Sequence, residues 1–271
     1  TMATTQAQFI TSKGATFVVE YRGLAEQNAS VRLVWLHGWG QARNAFSPLS
    51  SAFERSAFCC LIDLPGFGEA PIPPLDWGTP QYAVMLGEWL AQTARKNSPK
   101  TVIVAHSFGA RVAIHLASRY SHIVNSLVLI SGAGLRRRRP LVGRLKASLS
   151  KAAVRIARGI DLVTTAEISE RLRSKLGSRD YRKAGAMRPI LVRVVNEDLA
   201  AVARTVSQPT LLLYGERDQE TPSEFGQRYA SLIRNSRLVI LPHFDHYTIL
   251  TSGRHQLFRT INEFLTTLEH A

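Results

Sequence analysis

The sequence predicts an α/β protein, with a mostly parallel central sheet, helices on both faces and an inserted helical cap. Two observations lead to this prediction. Continuous apolar runs typical of buried strands alternate with segments whose apolar residues recur at helical spacing. One stretch, residues 135–205, lacks strand-like runs and interrupts that alternation. We therefore expect a core domain of residues 1–134 and 206–271, with residues 135–205 inserted as the cap.

The expected elements follow one another with turn signals between them. The strands are rich in β-branched and other apolar residues, and the helices carry an apolar stripe. The expected strands are residues 16–21, 31–36, 58–63, 102–105, 126–130, 209–214 and 237–241. The expected helices are residues 44–54, 79–96, 110–116 and 254–269, together with one that begins near Pro222.

A serine lies between a predicted strand and a predicted helix, at residue 107 in the segment Ala-His-Ser-Phe-Gly. A sharp turn from strand to helix needs small residues two places before and two places after the serine, and Ala105 and Gly109 meet that need. Such a turn exposes the hydroxyl above the strand end, beside the amides of a helix N-terminus. A serine that simply caps the helix would give the same local pattern. Residues elsewhere in the chain must decide between the two.

Polar side chains follow two further predicted strands. Glu216 and Asp218 come after the strand at 209–214, and His243 and His246 come after the strand at 237–241. Because ligands bind at the carboxyl ends of parallel strands, a carboxylate and a histidine are expected near the serine. Imidazole removes the hydroxyl proton, and the carboxylate orients the ring and stabilises its charged form. The spacing alone does not decide between Glu216 and Asp218 as the carboxylate, or between His243 and His246 as the histidine.

Two further turns complete the pattern. Residues 36–40 (Leu-His-Gly-Trp-Gly) follow a buried strand, and the amide of Trp39 with that of Phe108 is expected to form an oxyanion hole. Residues 63–68 read Asp-Leu-Pro-Gly-Phe-Gly after the next strand. With these turns and the serine segment, the chain resembles the α/β-hydrolase-fold serine hydrolases over nearly its whole length.

The resemblance implies which residues act. The family pattern Gly-x-x-Asp favours Asp218 over Glu216 as the acid, and the loop position favours His246 over His243 as the base. The predicted catalytic residues are therefore Ser107, Asp218 and His246. Where the family usually has glycine this chain has Ala105, which should only tighten the turn.

Four other polar residues near these turns are expected to have supporting roles. His37 is expected to shape the oxyanion turn by hydrogen bonding, and Asp63 to hold its own loop. His106 should pack beside the pocket and not act as the base, and Asp245 is expected to be a loop residue.

The net charge of +14 is concentrated in one segment. Residues 136–188 hold 16 lysines and arginines but only four acidic residues, which is +12 of the total. Within this segment, residues 141–160 place leucine, isoleucine and alanine on one face of a helix and basic residues on the other. The simplest interpretation is a cap helix with a solvated basic face. An acidic partner or acidic substrate is the next, a peripheral membrane contact is possible on the same chemistry, and no nucleic acid is expected.

The predicted function is a serine hydrolase that cleaves carboxylic esters through an acyl-enzyme on Ser107. No cofactor is expected and no metal site, because the histidines are scattered and the two cysteines are adjacent. Substrates would be small-molecule or carrier-linked esters. Pimeloyl-acyl-carrier-protein methyl ester esterases share the motifs at 37–40 and 63–68, although their serine segment differs. A carbon–carbon bond hydrolase of the same fold would use the same three residues, and a non-catalytic binding protein would keep the fold without turnover.

The predicted location is the cytoplasm. Cys59 and Cys60 lie in an apolar strand-like run, where they should be buried thiols on opposite faces of the sheet. The first residues lack the basic start and apolar core of a secretion signal. No apolar run approaches the roughly 20 residues of a transmembrane helix.

Overall fold

The computed structural model describes residues 2–4, 6–137 and 184–269. In that part of the chain, nine strands form one sheet. They are β1 (Met2–Thr4), β2 (Gln8–Ser12), β3 (Ala15–Leu24), β4 (Val31–Leu36), β5 (Phe58–Asp63), β6 (Lys100–His106), β7 (Val124–Ile130), β8 (Thr210–Gly215) and β9 (Ser236–Leu241).

The sheet is mostly parallel. Its order is β1-β3-β5-β4-β6-β7-β8-β9, with β2 also paired to β3. Strands β4 to β9 are all parallel to one another, whereas β3 is antiparallel to β1, β2 and β5. Because β5 and β6 lie on opposite sides of β4, the winding direction reverses between β4 and β6. In open α/β sheets the crevice at such a switch point is where ligands bind.

Helices cover both faces of the sheet. In the described residues they are α1 (Ser47–Ser50), α2 (Thr79–Thr93), α3 (Phe108–Arg119), α4 (Arg188–Asn196), α5 (Ala200–Ala203), α6 (Ser223–Leu232) and α7 (Arg254–Glu269).

Two apolar cores lie on the two sides of the sheet. Strand β4 turns Val34 and Leu36 toward the core that α2, α3 and α6 cover, and Leu33 and Trp35 toward the core of α1 and α7. All six residues of β4 are buried, as expected of a central strand that is covered on both faces. The predicted fold class, which is the α/β-hydrolase fold, is confirmed.

The region predicted as one helix over residues 44–54 is instead three short pieces. A 3₁₀ turn over Arg43–Phe46 leads into α1, and a second turn covers Ser51–Phe53. Pro48 lies in the first turn of α1, where its missing N–H costs no helical hydrogen bond. An N-terminal proline fits a new helix start better than the middle of a longer helix.

The sequence prediction missed β1 and β2. Most residues of β2 are exposed, so the strand lacks the buried alternation that identifies a strand from sequence. It pairs with β3 through a two-residue turn at Lys13 and Gly14, which have φ angles of 50° and 81°. Positive φ at both positions is typical of tight hairpin turns.

Only the ends of the predicted cap lie in the described residues. Residues 184–205 carry α4 and α5. Residues 138–183, with the helix predicted over 141–160 and most of the basic segment, lie outside the described residues. The division into a core and a cap remains a prediction.

The returning end of this region is tied to the core by polar contacts. Glu197, just after α4, lies with its Oε1 2.7 Å from His115 Nε2 of α3, and its other oxygen accepts a hydrogen bond from Thr79 at the start of α2. The buried Arg111 of α3 donates to the main-chain oxygen of Val194, at 2.7 Å. These contacts fix where the chain re-enters the sheet at β8.

Among the described residues, no helix is long and apolar enough to cross a membrane.

Candidate active site

Ser107 occupies a sharp turn between β6 and α3. Its φ and ψ are 51° and −107°, a conformation that costs a non-glycine residue energy and is found where the surrounding structure enforces it. A side chain at residue 109 is sterically forbidden, since a Cβ there would lie 2.2 Å from the main-chain oxygen of Leu36. Glycine at 109 therefore lets α3 approach the end of β4. The Ser107 amide donates to the Ile130 oxygen of β7, at 3.1 Å, which fixes the turn against the next strand.

His246 lies in the loop after β9 and reaches Ser107. Its Nε2 is 3.0 Å from the serine Oγ, a distance at which the hydroxyl donates to the ring. The other ring nitrogen, Nδ1, donates to Asp218 Oδ2 at 2.8 Å. The imidazole is buried, and it packs at a right angle to the Tyr247 ring with the ring centres 5.1 Å apart. The ring is therefore held with one nitrogen on the acid and the other on the serine.

Asp218 lies three residues after β8 and is buried. Its Oδ1 accepts hydrogen bonds from the amides of Glu220 and Thr221, at 2.9 and 2.8 Å, and its Oδ2 lies 2.9 Å from the hydroxyl of Thr221. Burial raises the pKa of this carboxyl, but the hydrogen bond and charge of His246 and the amide of Thr221 outweigh it, so the pKa lies below its ordinary value. The carboxylate form is thus favoured where it contacts the ring.

The turn after β4 lies beside the serine. The Gly38 amide donates to Gln41 Oε1 at 2.9 Å, and the Trp39 ring packs edge-on against Phe108, 5.3 Å away. Within the described part of the chain, the amides of Trp39 and Phe108 donate to no protein acceptor. An amide without a protein acceptor can donate to an oxygen of a bound ligand.

His37 holds this turn by two hydrogen bonds. Its Nε2 accepts a hydrogen bond from the Leu64 amide at 3.1 Å, and its Nδ1 donates to the Gly38 oxygen at 2.8 Å. Full burial lowers its pKa to about 4, so the ring is neutral near pH 7. A neutral ring with one donor and one acceptor matches these two contacts.

Asp63, at the end of β5, holds the neighbouring loop. Its buried carboxylate accepts from the Arg43 amide at 2.6 Å, from the Arg43 guanidinium and from the Glu69 amide at 3.1 Å. Gly68 has a φ of 56°, and a Cβ there would lie 2.4 Å from the Asp63 carboxyl. This contact explains the glycine at 68.

The remaining polar residues contact other groups. His106 donates from Nε2 to the main-chain oxygen of His246, at 2.9 Å, and burial lowers its pKa to about 3. Glu216 accepts from the amide of His243 at 3.1 Å, and the His243 ring lies 3.3 Å from the Arg217 guanidinium. Asp245 accepts from the amides of the two residues at 247 and 248. None of these contacts involves the Ser107 hydroxyl.

Sequence reasoning missed three residues of this site: Gln41, Thr221 and Glu220. The spacing of Thr221, three residues after Asp218, is typical of a side chain that caps an aspartate turn and could have identified it. No pattern along the chain signals Glu220, whose Oε2 lies 3.7 Å from His246 Nε2. In the described ranges, no three histidine, cysteine or acidic side chains converge as metal ligands would.

The sequence profile described as "Alpha/beta hydrolase family" matches residues 33–259. The chain belongs to this family. The match begins within β4, ends within α7 and includes both loops that carry Asp218 and His246.

Individual proteins show the same likeness at low identity. The chain is 25% identical to a pimeloyl-[acyl-carrier protein] methyl ester esterase of Neisseria meningitidis serogroup A, over 82% of this chain and 73% of that one. It is 22% identical to the protein PHYLLO of Arabidopsis thaliana over 95% of its own length, but it spans only 17% of PHYLLO. The structure of a thermophilic esterase from Thermogutta terrifontis superimposes with a TM-score of 0.69 at 20% identity, covering 97% of this chain and 99% of that one. That likeness shows the shared fold.

Proposed function

We propose that the protein is a serine hydrolase that cleaves carboxylic esters through an acyl-enzyme on Ser107. The observation that carries the proposal is the continuous line of contacts from Ser107 through His246 to the buried Asp218. A hydroxyl, an imidazole and a carboxylate in this order form the arrangement that turns a weak nucleophile into a strong one.

In this proposal each group has its own task. Ser107 Oγ attacks the ester carbonyl carbon while its proton moves to His246 Nε2, and Asp218 stabilises the charged ring. The amides of Trp39 and Phe108 bind the oxygen that becomes negative. The ring then gives the proton to the departing alcohol. In the second half, His246 takes a proton from water, which attacks the acyl group and frees the serine.

No cofactor enters this proposed reaction, since every proton and every bond is handled by side chains, amides and water. The substrates would be small-molecule or carrier-linked esters. A location in the cytoplasm fits the two thiols, because Cys59 and Cys60 are both buried and unpaired.

A methyl ester on an acyl carrier protein is the second candidate substrate. The likeness to the Neisseria pimeloyl-carrier esterase favours it, because that likeness extends over 82% of this chain. An acidic carrier would be received by the basic segment 136–188, of which the exposed Arg136 and Arg137 are the described beginning. Activity that does not fall as salt rises would count against such charge-driven docking.

The deciding experiment compares wild type with Ser107→Ala on a graded panel of esters that varies the acyl length and the alcohol. One arm carries a carrier-linked methyl ester, and another carries a vinylogous diketone to detect carbon–carbon bond hydrolysis. We expect ester turnover by wild type and a loss of about 10⁶-fold in kcat on removal of the nucleophile. Equal rates for the two proteins would refute the role of Ser107.

A fluorophosphonate probe tests the nucleophile independently of the substrate. We expect mass spectrometry to find the covalent adduct on Ser107 of the folded protein. Absence of labelling would favour a binding protein that kept the fold without turnover.

A further inference from the structure

A second carboxylate lies beside the serine–histidine pair. Glu220 Oε2 is 3.7 Å from His246 Nε2, the same nitrogen that lies 3.0 Å from Ser107 Oγ. Unlike Asp218, which is buried behind the ring, the Glu220 side chain is 47% exposed. It therefore lies on the side of the imidazole from which substrate and water arrive.

This carboxylate is held in place. The Glu220 amide donates to Asp218 Oδ1 at 2.9 Å, which ties the main chain to the acid. The Tyr247 hydroxyl donates to Glu220 Oε2 at 3.3 Å, and the Tyr247 ring packs on His246. Its position thus follows from the same loops that position the acid and the base.

In the part of the chain that the structure describes, no lysine or arginine lies within ion-pair distance of the Glu220 carboxylate. The nearby Arg137 donates to the main-chain oxygen of Glu220, at 3.2 Å, and not to its side chain. Among the described residues, the carboxylate of Glu220 therefore has its ion-pair contact with His246.

The chemistry of the reaction places one part of the substrate there. The departing alcohol oxygen takes its proton from His246 Nε2, so it must come within about 3 Å of that nitrogen. Substituents on the alcohol then come close to the Glu220 carboxylate, which attracts a positive charge.

We infer that Glu220 determines the specificity of the reaction for its alcohol group. It favours esters whose alcohol part carries a positive charge, such as an alkylammonium, and disfavours those whose alcohol part is anionic. This inference rests on the proposed hydrolase function and adds to it the charge class of the leaving group.

The test uses two phosphonate probes with the same phosphonyl group. One has a trimethylammonium-bearing alcohol as its leaving group, and the other has the uncharged tert-butyl isostere. In each, the Ser107 Oγ–phosphorus bond forms, the bond from phosphorus to the leaving oxygen breaks, and the serine proton passes through His246 to that oxygen. The rate of adduct formation on Ser107 is followed by mass spectrometry.

We expect wild type to react about fivefold faster with the cationic probe, which is the size of one partly exposed charge pair. Glu220→Gln should react equally with both probes, and Glu220→Lys should prefer the neutral probe. Glu216→Gln is the matched control, because it removes a negative charge from the same loop. The Glu216 carboxylate accepts from the His243 amide and does not contact His246, so this variant should keep the preference for the cationic probe.

Other results of this experiment would overturn either the role of Glu220 or the proposed function. Equal rates of wild type with the cationic and the neutral probe would overturn the role of Glu220 and leave the proposed hydrolase function unaffected. A preference for the cationic probe that persists in Glu220→Gln would do the same. Failure of both probes to label Ser107 would overturn the proposed function and this inference with it.

Discussion

Two aspartates, Asp63 and Asp218, lie at the carboxyl end of the same sheet and differ in their partners. Asp63 ends β5 and Asp218 follows β8, and both are buried, with 0% and 4% of their surface exposed. Asp63 is bound by the Arg43 guanidinium and by the amides of Arg43 and Glu69. Asp218 shares its oxygens among His246, Thr221 and the Glu220 amide.

The difference lies in what the partner can do with a proton. A guanidinium stays charged at any pH that a folded protein meets, so the contact between Asp63 and Arg43 holds a loop and exchanges nothing. An imidazole can accept a proton at one nitrogen while the other stays bonded to a carboxylate, and His246 has its second nitrogen on a hydroxyl. A buried carboxylate at a strand end is therefore structural or chemical according to the side chain that reaches it.

Of the two aspartates, Asp218 is expected to have the larger effect on activity. We predict that Asp218→Asn lowers kcat by about 10⁴-fold, because the amide no longer stabilises the charged ring or fixes its tautomer. The measurement is ester hydrolysis at saturating substrate, with urea unfolding as the control for a folded protein. A loss of less than tenfold would remove Asp218 from the proposed mechanism.

The corresponding change at Asp63 should act on stability. Asp63→Asn removes one of three carboxylates from Arg43, which keeps its ion pairs with Glu20 and Glu69. We expect a loss of about 2 kcal/mol in the free energy of unfolding, the size of a hydrogen bond to a charged group. We expect kcat per folded molecule to stay within a few-fold of wild type. If activity fell as far as in Asp218→Asn, the distinction between the two aspartates would be wrong.

A third prediction concerns His37, which holds the turn after β4 by hydrogen bonds. Because its pKa is about 4 in the folded protein and about 6.5 when unfolded, the unfolded chain binds a proton that the folded chain does not between those values. Stability should therefore be complete above pH 6.5 and fall as the pH drops, by about 1.4 kcal/mol per unit for this ring. His106, with a pKa of about 3, adds to the same slope.

The check is the free energy of unfolding in urea at pH 6 and pH 5, in wild type and in His37→Asn. The variant should be less stable at pH 7.5, since it loses the contact with the Leu64 amide, but its stability should fall less steeply with acid. Identical slopes would show that His37 is not the neutral buried ring described above.

The smallest effect is expected at Thr221, the neighbour of Asp218. Thr221→Val keeps the shape and the amide contact but removes the hydroxyl that lies 2.9 Å from Asp218 Oδ2. Loss of one such hydrogen bond is worth about 1 kcal/mol, or about fivefold in kcat. Unchanged kinetics would mean that the amides alone hold the acid; Thr221→Ser, which keeps the hydroxyl, should behave as wild type.

Much of the fold followed from local pattern. The strands at 31–36 and 58–63 were expected at the bounds that the structure gives, because continuous apolar runs between turns have few other solutions. The exposed β2 and the broken helix around α1 were not predicted. In both segments the pattern of apolar residues was too weak to identify the element. Hairpin pairing determined β2, and packing determined the region around α1.

The features of the site also divide into those that the sequence determined and those that the tertiary structure determined. The sequence by itself determined which residue types follow which strands, so a serine, an acid and a histidine at the ends of β6, β8 and β9 could be expected near one another. The family resemblance favoured Asp218 and His246, but only the tertiary structure showed their contact and the separate pair of Glu216 and His243. It alone placed Glu220 beside the ring. The physical reason is distance along the chain: Ser107 and His246 are 139 residues apart, and their contact depends on strand register and loop geometry, which no local pattern encodes.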